Sequence, residues 1–127
     1  MILVWGALLG FISVAFGAYA EHGLREAVTE EHFRFLMTAI RYNQVHAVVI
    51  VAIGLALLNG GNLTNIPALK WSGLLFVVGT VLFSLSIYLS VSLDIPSLVN
   101  ITPIGGMTIM AAWLLLLVTG VLARKKI

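Results

Sequence analysis

No cysteine occurs among the 127 residues, which removes disulfide frameworks, thiolate nucleophiles, iron–sulfur clusters and thiolate zinc sites from consideration. Charge is almost as scarce. Seven Lys and Arg and five Asp and Glu make up 9% of the chain, against about 25% in an ordinary soluble domain. The basic residues are scattered and form no stripe interleaved with aromatics, so the net charge of +2 points to no nucleic-acid partner. Proline is confined to three positions. No internal repeat, low-complexity tract or linker divides the chain, and a single domain over residues 1–127 is expected.

Apolar residues are what the chain has in plenty: 61% of it is hydrophobic and its mean hydropathy is +1.10. So few charged side chains would leave a water-soluble fold of this size with apolar surface it has no means to cover, so the expected solvent is lipid. Four uncharged stretches are long enough to cross a bilayer, which takes about 20 residues. The turn clusters "NGGNLTNIP" (Asn59 to Pro67) and "SLDIPSLVNITP" (Ser92 to Pro103) trim them to spans near 1–20, 40–58, 69–91 and 103–123. The expected fold is all-α, a polytopic membrane protein built as an up-down four-transmembrane-helix bundle. Thr29 reads as an N-cap with Glu30 and Glu31 in the first turn, so the second helix starts ahead of the bilayer. Thr102 reads as the N-cap of the fourth, with Pro103 at its first position.

The first span invites comparison with a signal peptide, because "AYA" (Tyr19 flanked by Ala18 and Ala20) fits a small-x-small cleavage pattern. Its start carries no Lys or Arg, however, and Gly6, Gly10, Ser13 and Gly17 recur on one helix face. That stripe suits close helix packing in a membrane, so a retained helix is expected. An even number of spans puts both termini on one side. The tail "ARKKI" and Lys70 place four positive charges there against Arg25, Arg34 and Arg41 opposite, which predicts cytoplasmic termini.

Helix direction brings the polar residues together. The first and third helices end, and the second and fourth begin, at the face opposite the termini. Glu21 and His22 sit on the first; Arg41, Tyr42, Asn43, Gln44 and His46 on the second; Ser84, Ser86 and Tyr88 on the third; Thr102, Gly105 and Gly106 on the fourth. Ionisable groups inside a membrane are costly and face a bundle interior or a cavity, which makes His46 the foremost candidate. A Glu21–Arg41 ion pair and hydrogen bonds among His22, Tyr42 and His46 are expected. The leading reading of the cluster is structural, as polar glue between helices. The second is a head-group site for a lipid or quinone, with Tyr42, His46, Tyr88 and the Thr102–Gly106 turn as its donors. No nucleophile-and-base motif is present and no catalytic residue is assigned. No metal or cofactor is expected either; quinone and b-type haem, the latter between His22 and His46, stand only as alternatives. The stripe of Gly106, Met110, Trp113 and Leu117 is expected to be packing surface.

The stretches "GAYAEHGL", "RYNQVHA", "GTVLFSLSIY" and "TPIGGMTIMAAW" resemble, in order, the signatures of the small membrane proteins grouped as domain of unknown function 423, whose eukaryotic relatives are called transmembrane protein 256. The resemblance covers about Gly6 to Trp113. It implies a compact four-helix protein, usually of the bacterial inner membrane, and implies no reaction. The family's histidine stretch falls on Gly17 to His22, its Tyr-Gln-x-x-His on Tyr42, Asn43 and His46, and its Thr-Pro-x-Gly-Gly on Thr102, Pro103, Gly105 and Gly106. Ala20 stands where glycine is usual, Glu21 where alanine is usual and Asn43 where glutamine is usual, so a shared role extends to His22 and not to Glu21. The expected function is therefore that of a non-enzymatic protein working through helix contacts, as a homo-oligomer or an accessory subunit of a membrane complex. Membrane lipid is the other expected partner.

Overall fold

The computed structural model describes residues 1–125, so Lys126, one of the tail charges in the orientation count, lies outside the described residues. Four helices long and apolar enough to cross a membrane follow one another: α1 (Ile2–Leu24), α2 (Glu30–Asn59), α3 (Pro67–Ser92) and α4 (Pro96–Lys125). No strand occurs among the described residues. Helices are the expected solution, because in hydrocarbon each backbone N–H and C=O must be satisfied within its own segment.

The helix ends follow local chemistry. Thr29 caps α2, its side-chain oxygen accepting from the His32 N–H at 3.1 Å. Gly60 and Gly61, at φ of 78° and 95°, turn the chain from α2 toward α3 in a backbone region that side-chain-bearing residues avoid. Two ends depart from expectation. α1 does not stop near Ala20 but runs on through a π-helical turn, Ala20–Leu24. Thr102 is already helical and is no N-cap, because α4 opens with a 3₁₀ segment, Pro96–Ile101, that runs straight into its α-helical part, and the Val99 carbonyl accepts the Thr102 N–H.

α2 and α3 form the centre. α1 packs along α2, α4 packs along α3, and the α2 and α4 backbones hardly approach each other. Burial follows: half of the α3 membrane window is inside the protein, against 17% for α4. The two outer pairings rest on absent side chains. A Cβ placed on Gly54 would lie 2.6 Å from the Leu3 backbone nitrogen, and one on Gly6 2.8 Å from that of Val51. On the other side, a Cβ on Gly79 would lie 2.9 Å from the Ile109 backbone nitrogen, and one on Gly105 would fall on the Phe83 backbone. Of the predicted small-residue stripe, Gly6 is a backbone-to-backbone crossing, whereas a Cβ on Gly10 or Gly17 would have ordinary room, 3.8 Å from Ala47 and Ile40. Ser13 is buried and donates to its own helix at the Gly10 carbonyl, 2.6 Å away.

Candidate functional site

His46 is the hub of the polar residues. It lies between the central helices, 5% exposed, and both ring nitrogens are engaged. The Trp113 indole N–H, which donates only, reaches Nε2 at 3.1 Å. Nε2 is therefore the acceptor, the proton sits on Nδ1, and Nδ1–H donates to the Tyr42 carbonyl at 2.7 Å. Phe76, fully buried, stacks on the imidazole at a centroid distance of 5.6 Å and meets Trp113 edge-on at 4.9 Å. A neutral, fully bonded imidazole in an aromatic wall is a brace between α2 and α4, and its lone pair is already committed. An indole in an apolar span needs an acceptor, and His46 is the imidazole of the facing helix; that is the signal by which sequence reasoning would have found Trp113.

The other expected members separate into pairs. Asn43 Nδ2 donates to the Tyr88 hydroxyl at 3.0 Å, and Tyr88 stacks on Phe16 of α1 at 3.9 Å. Ser84 Oγ donates to the Ala39 carbonyl at 2.8 Å, and the Ser86 and Thr102 hydroxyls share a hydrogen bond of 2.7 Å that ties α3 to α4. Ser72, unassigned from the sequence, donates to the Ala112 carbonyl at 3.0 Å. Each bond joins two helices, in line with polar groups as glue.

The α1 end does not join this network. Glu21 pairs with Arg25 at 2.8 Å and not with Arg41, because the i, i+4 neighbour on the same helix needs no folding of one helix onto another to be reached. His22 is exposed and lines a surface hollow with Glu21, Arg25 and Glu26, away from Tyr42 and His46. The hydrogen bonds expected among the three therefore reduce to His46 with the Tyr42 main chain. Among the described residues no three His, Asp or Glu side chains come together for a metal.

Beside the His46 brace, where α2 and α4 diverge, a groove of about 540 Å³ opens on the outside of the bundle. Val45, Phe83, Met107, Ile109, Met110 and Trp113 make its apolar walls, Pro103 and Gly106 supply its α4 rim, and Arg41 stands at its mouth. Tyr42 stacks on Phe83 at 4.4 Å and holds the floor in place. The stripe read as packing surface is largely exposed on this chain: Met110 is 61% exposed, Trp113 43% and Leu117 63%. A helix apolar on every side carries no pattern to say which side is inward.

Comparison with known proteins agrees with this architecture. The family model described as "Protein of unknown function (DUF423)" matches residues 16–106. "UPF0382 membrane protein SH2409" of Staphylococcus haemolyticus is 32% identical over 94% of this chain and 93% of its own length. "UPF0382 inner membrane protein YgdD" of Escherichia coli K12 is 29% identical over 98% and 92%, and "UPF0382 membrane protein YwdK" of Bacillus subtilis 27% over 95% and 96%. No solved structure gives a significant match. Four apolar helices, a family match over well over half of the sequence and relatives aligned from end to end lead to one conclusion: this chain is a small integral membrane protein and belongs to the DUF423 family.

Proposed function

We propose that this membrane protein is a non-enzymatic binder of a membrane amphiphile, a lipid or a quinone, held in the α2–α4 groove. The observation that carries this is the groove itself, of a volume that suits small-molecule sites, apolar along its walls and cationic at its mouth. In this reading the polar cluster is not the head-group site, since His46, Tyr88 and Thr102 are hydrogen-bonded to other helices or to the main chain and Asn43 is fully buried. They build the wall, and the ligand lies against it. The bacterial inner membrane, with the termini on the cytoplasmic side alongside Lys70 and Arg124, is the location that suits this role and the name of the Escherichia coli relative.

Native mass spectrometry of protein released gently from its own membrane tests this directly. Wild type should retain an amphiphile. Gly106→Phe should release it, because a Cβ at Gly106 has ordinary room, 3.8 Å from the nearest atom of Phe83, so the new ring fills the groove without disturbing the helices. Equal retention by the two proteins would sink the groove as the binding site.

A specific observation also favours self-association. Gln44 is exposed on α2 in a shallow hollow of about 360 Å³ lined by Gly6, Gly10 and Ser13 of α1, and it has no hydrogen-bond partner among the described residues. A carboxamide facing lipid gains from an interhelical partner, and two carboxamides across a two-fold axis satisfy each other. Because the chain lacks cysteine, Val48→Cys, at a 70% exposed position in that hollow, gives a unique reporter. It should form disulfide-linked dimers in native membranes, and adding Gln44→Leu should lower their yield severalfold. A yield that Gln44→Leu leaves unchanged would remove the amide from the contact.

A further inference from the structure

We infer that the occupant of the α2–α4 groove is an anionic glycerophospholipid of the leaflet that holds Arg41, with its phosphate on the guanidinium and one acyl chain laid along the groove toward Trp113. This rests on the groove being an amphiphile site and adds the chemical class of the amphiphile.

Three observations converge. The first is charge. Arg41 is exposed at the mouth and has no carboxylate or other hydrogen-bond partner among the described residues. The carboxylate expected to neutralise it, that of Glu21, is held by Arg25, and no acidic residue lines the groove. A guanidinium presents five donors in a planar fork that matches phosphate.

The second is where polarity stops. Below Arg41 and Tyr42 the lining is Val45, Phe83, Met107, Ile109, Met110 and Trp113. The one imidazole on the wall has its Nε2 taken by Trp113 and its Nδ1 proton given to Tyr42. The free donors of the lining are the Arg41 guanidinium and the hydroxyl of its neighbour Tyr42, and recognition is left to that polar end. A ligand charged at one end and wholly apolar beyond it fits; a polar ring that must be carried inward does not.

The third is length. From Pro103 to Trp113 is ten residues of α4, about 15 Å at the helical rise. That is about half of the 30 Å hydrocarbon core, hence the depth of one leaflet. Methionines at Met107 and Met110, unbranched and adaptable, suit an acyl chain of no fixed shape.

The test offers the full-length protein, delipidated in detergent, equimolar phosphatidylglycerol and phosphatidylethanolamine, with ubiquinone in a parallel sample, and reads bound mass by native mass spectrometry. Wild type should favour phosphatidylglycerol by about fivefold or more, the factor expected for one cation facing an anionic lipid. Arg41→Gln should bring the two lipids to parity with an unchanged melting temperature, since the side chain is exposed, while Arg41→Lys should keep most of the preference. Gly106→Phe should abolish both adducts. Parity in wild type, or a preference that survives Arg41→Gln, overturns the anionic assignment and leaves the groove intact as a site. Ubiquinone held in preference to either lipid does the same. Adducts that Gly106→Phe leaves in place overturn both the assignment and the groove.

Discussion

Replacing Gly105 with leucine is expected to separate α4 from α3 and leave no assembled bundle. At this crossing the helices touch backbone to backbone. A Cβ on Gly105 would fall on the Phe83 amide, 2.8 Å from its Cα and 2.9 Å from the Gly79 carbonyl oxygen, and a Cβ on Gly79 would in turn lie 2.9 Å from the Ile109 nitrogen. Overpacking a core by a methylene or so costs about 1–3 kcal/mol when neighbouring side chains give way. Here the neighbour is main chain fixed in a helix, so the whole of α4 has to move. That movement would take with it the hydrogen bonds that join the pair, Ser72 to Ala112 and Ser86 to Thr102. A loss of roughly 4 kcal/mol or more, the range of exceptional substitutions, is expected. It would appear as collapse of the melting transition in detergent, or as loss of the folded band under mild dodecyl sulfate. Gly106→Ala one residue on is the control: its Cβ has only the Phe83 ring nearby at 3.8 and 3.9 Å, and removing a helix glycine is favourable by up to about 1 kcal/mol. A Gly105→Leu protein that melts with wild type would show that the two helices do not cross there.

His46→Ala is expected to be the second most damaging change, by about 2–4 kcal/mol. It removes a buried ring packed on Phe76, which leaves a cavity, and it strips the Trp113 N–H of its acceptor in an apolar setting. His46→Phe separates the two contributions, since it restores the ring and its stacking but not the acceptor, and it should recover only part of the loss. Pairing it with Trp113→Phe closes a thermodynamic cycle whose coupling should fall near 0.6–1.7 kcal/mol, the span measured for hydrogen bonds between membrane helices. A coupling of zero would mean that histidine and tryptophan merely lie side by side. In a variant with Trp5 and Trp71 replaced, Trp113 emission reports the same bond by an independent signal.

The candidate site was half legible in the sequence. His46, Asn43, Tyr88 and Thr102 were all placed at the right end of the right helices, and each does bond to a residue of its own or a neighbouring helix. Their partners were not legible. Glu21 was assigned to Arg41 when Arg25, four residues along the same helix, holds it. The helix end it occupies and the family resemblance put His22 in the cluster, yet the π-helical turn at Ala20–Leu24 carries both it and Glu21 on the outside. Trp113 does pack, on Phe76, but its bond to His46 is not legible in the sequence, and neither are Gly54 and Gly79, two of the closest helix crossings. Arg41, one member of a supposed polar cluster, stands instead at the mouth of an apolar groove.

The division has a physical cause. Solvent, helix number, the Thr29 cap and the Gly60–Gly61 turn, and the end of the bundle where polar groups gather are properties of single segments. Transfer to hydrocarbon and internal satisfaction of the backbone are decided residue by residue along one helix, so the sequence determined them by itself. Which face of each helix turns inward is a property of pairs. In water an apolar stripe marks the inner face, but in lipid both faces are apolar and the hydrophobic effect does not choose between them. The choice falls to close packing at Gly6, Gly54, Gly79 and Gly105 and to a few hydrogen bonds. Only the tertiary structure decided those rotations, and with them the gap between α2 and α4 that exposes Trp113 beneath Arg41.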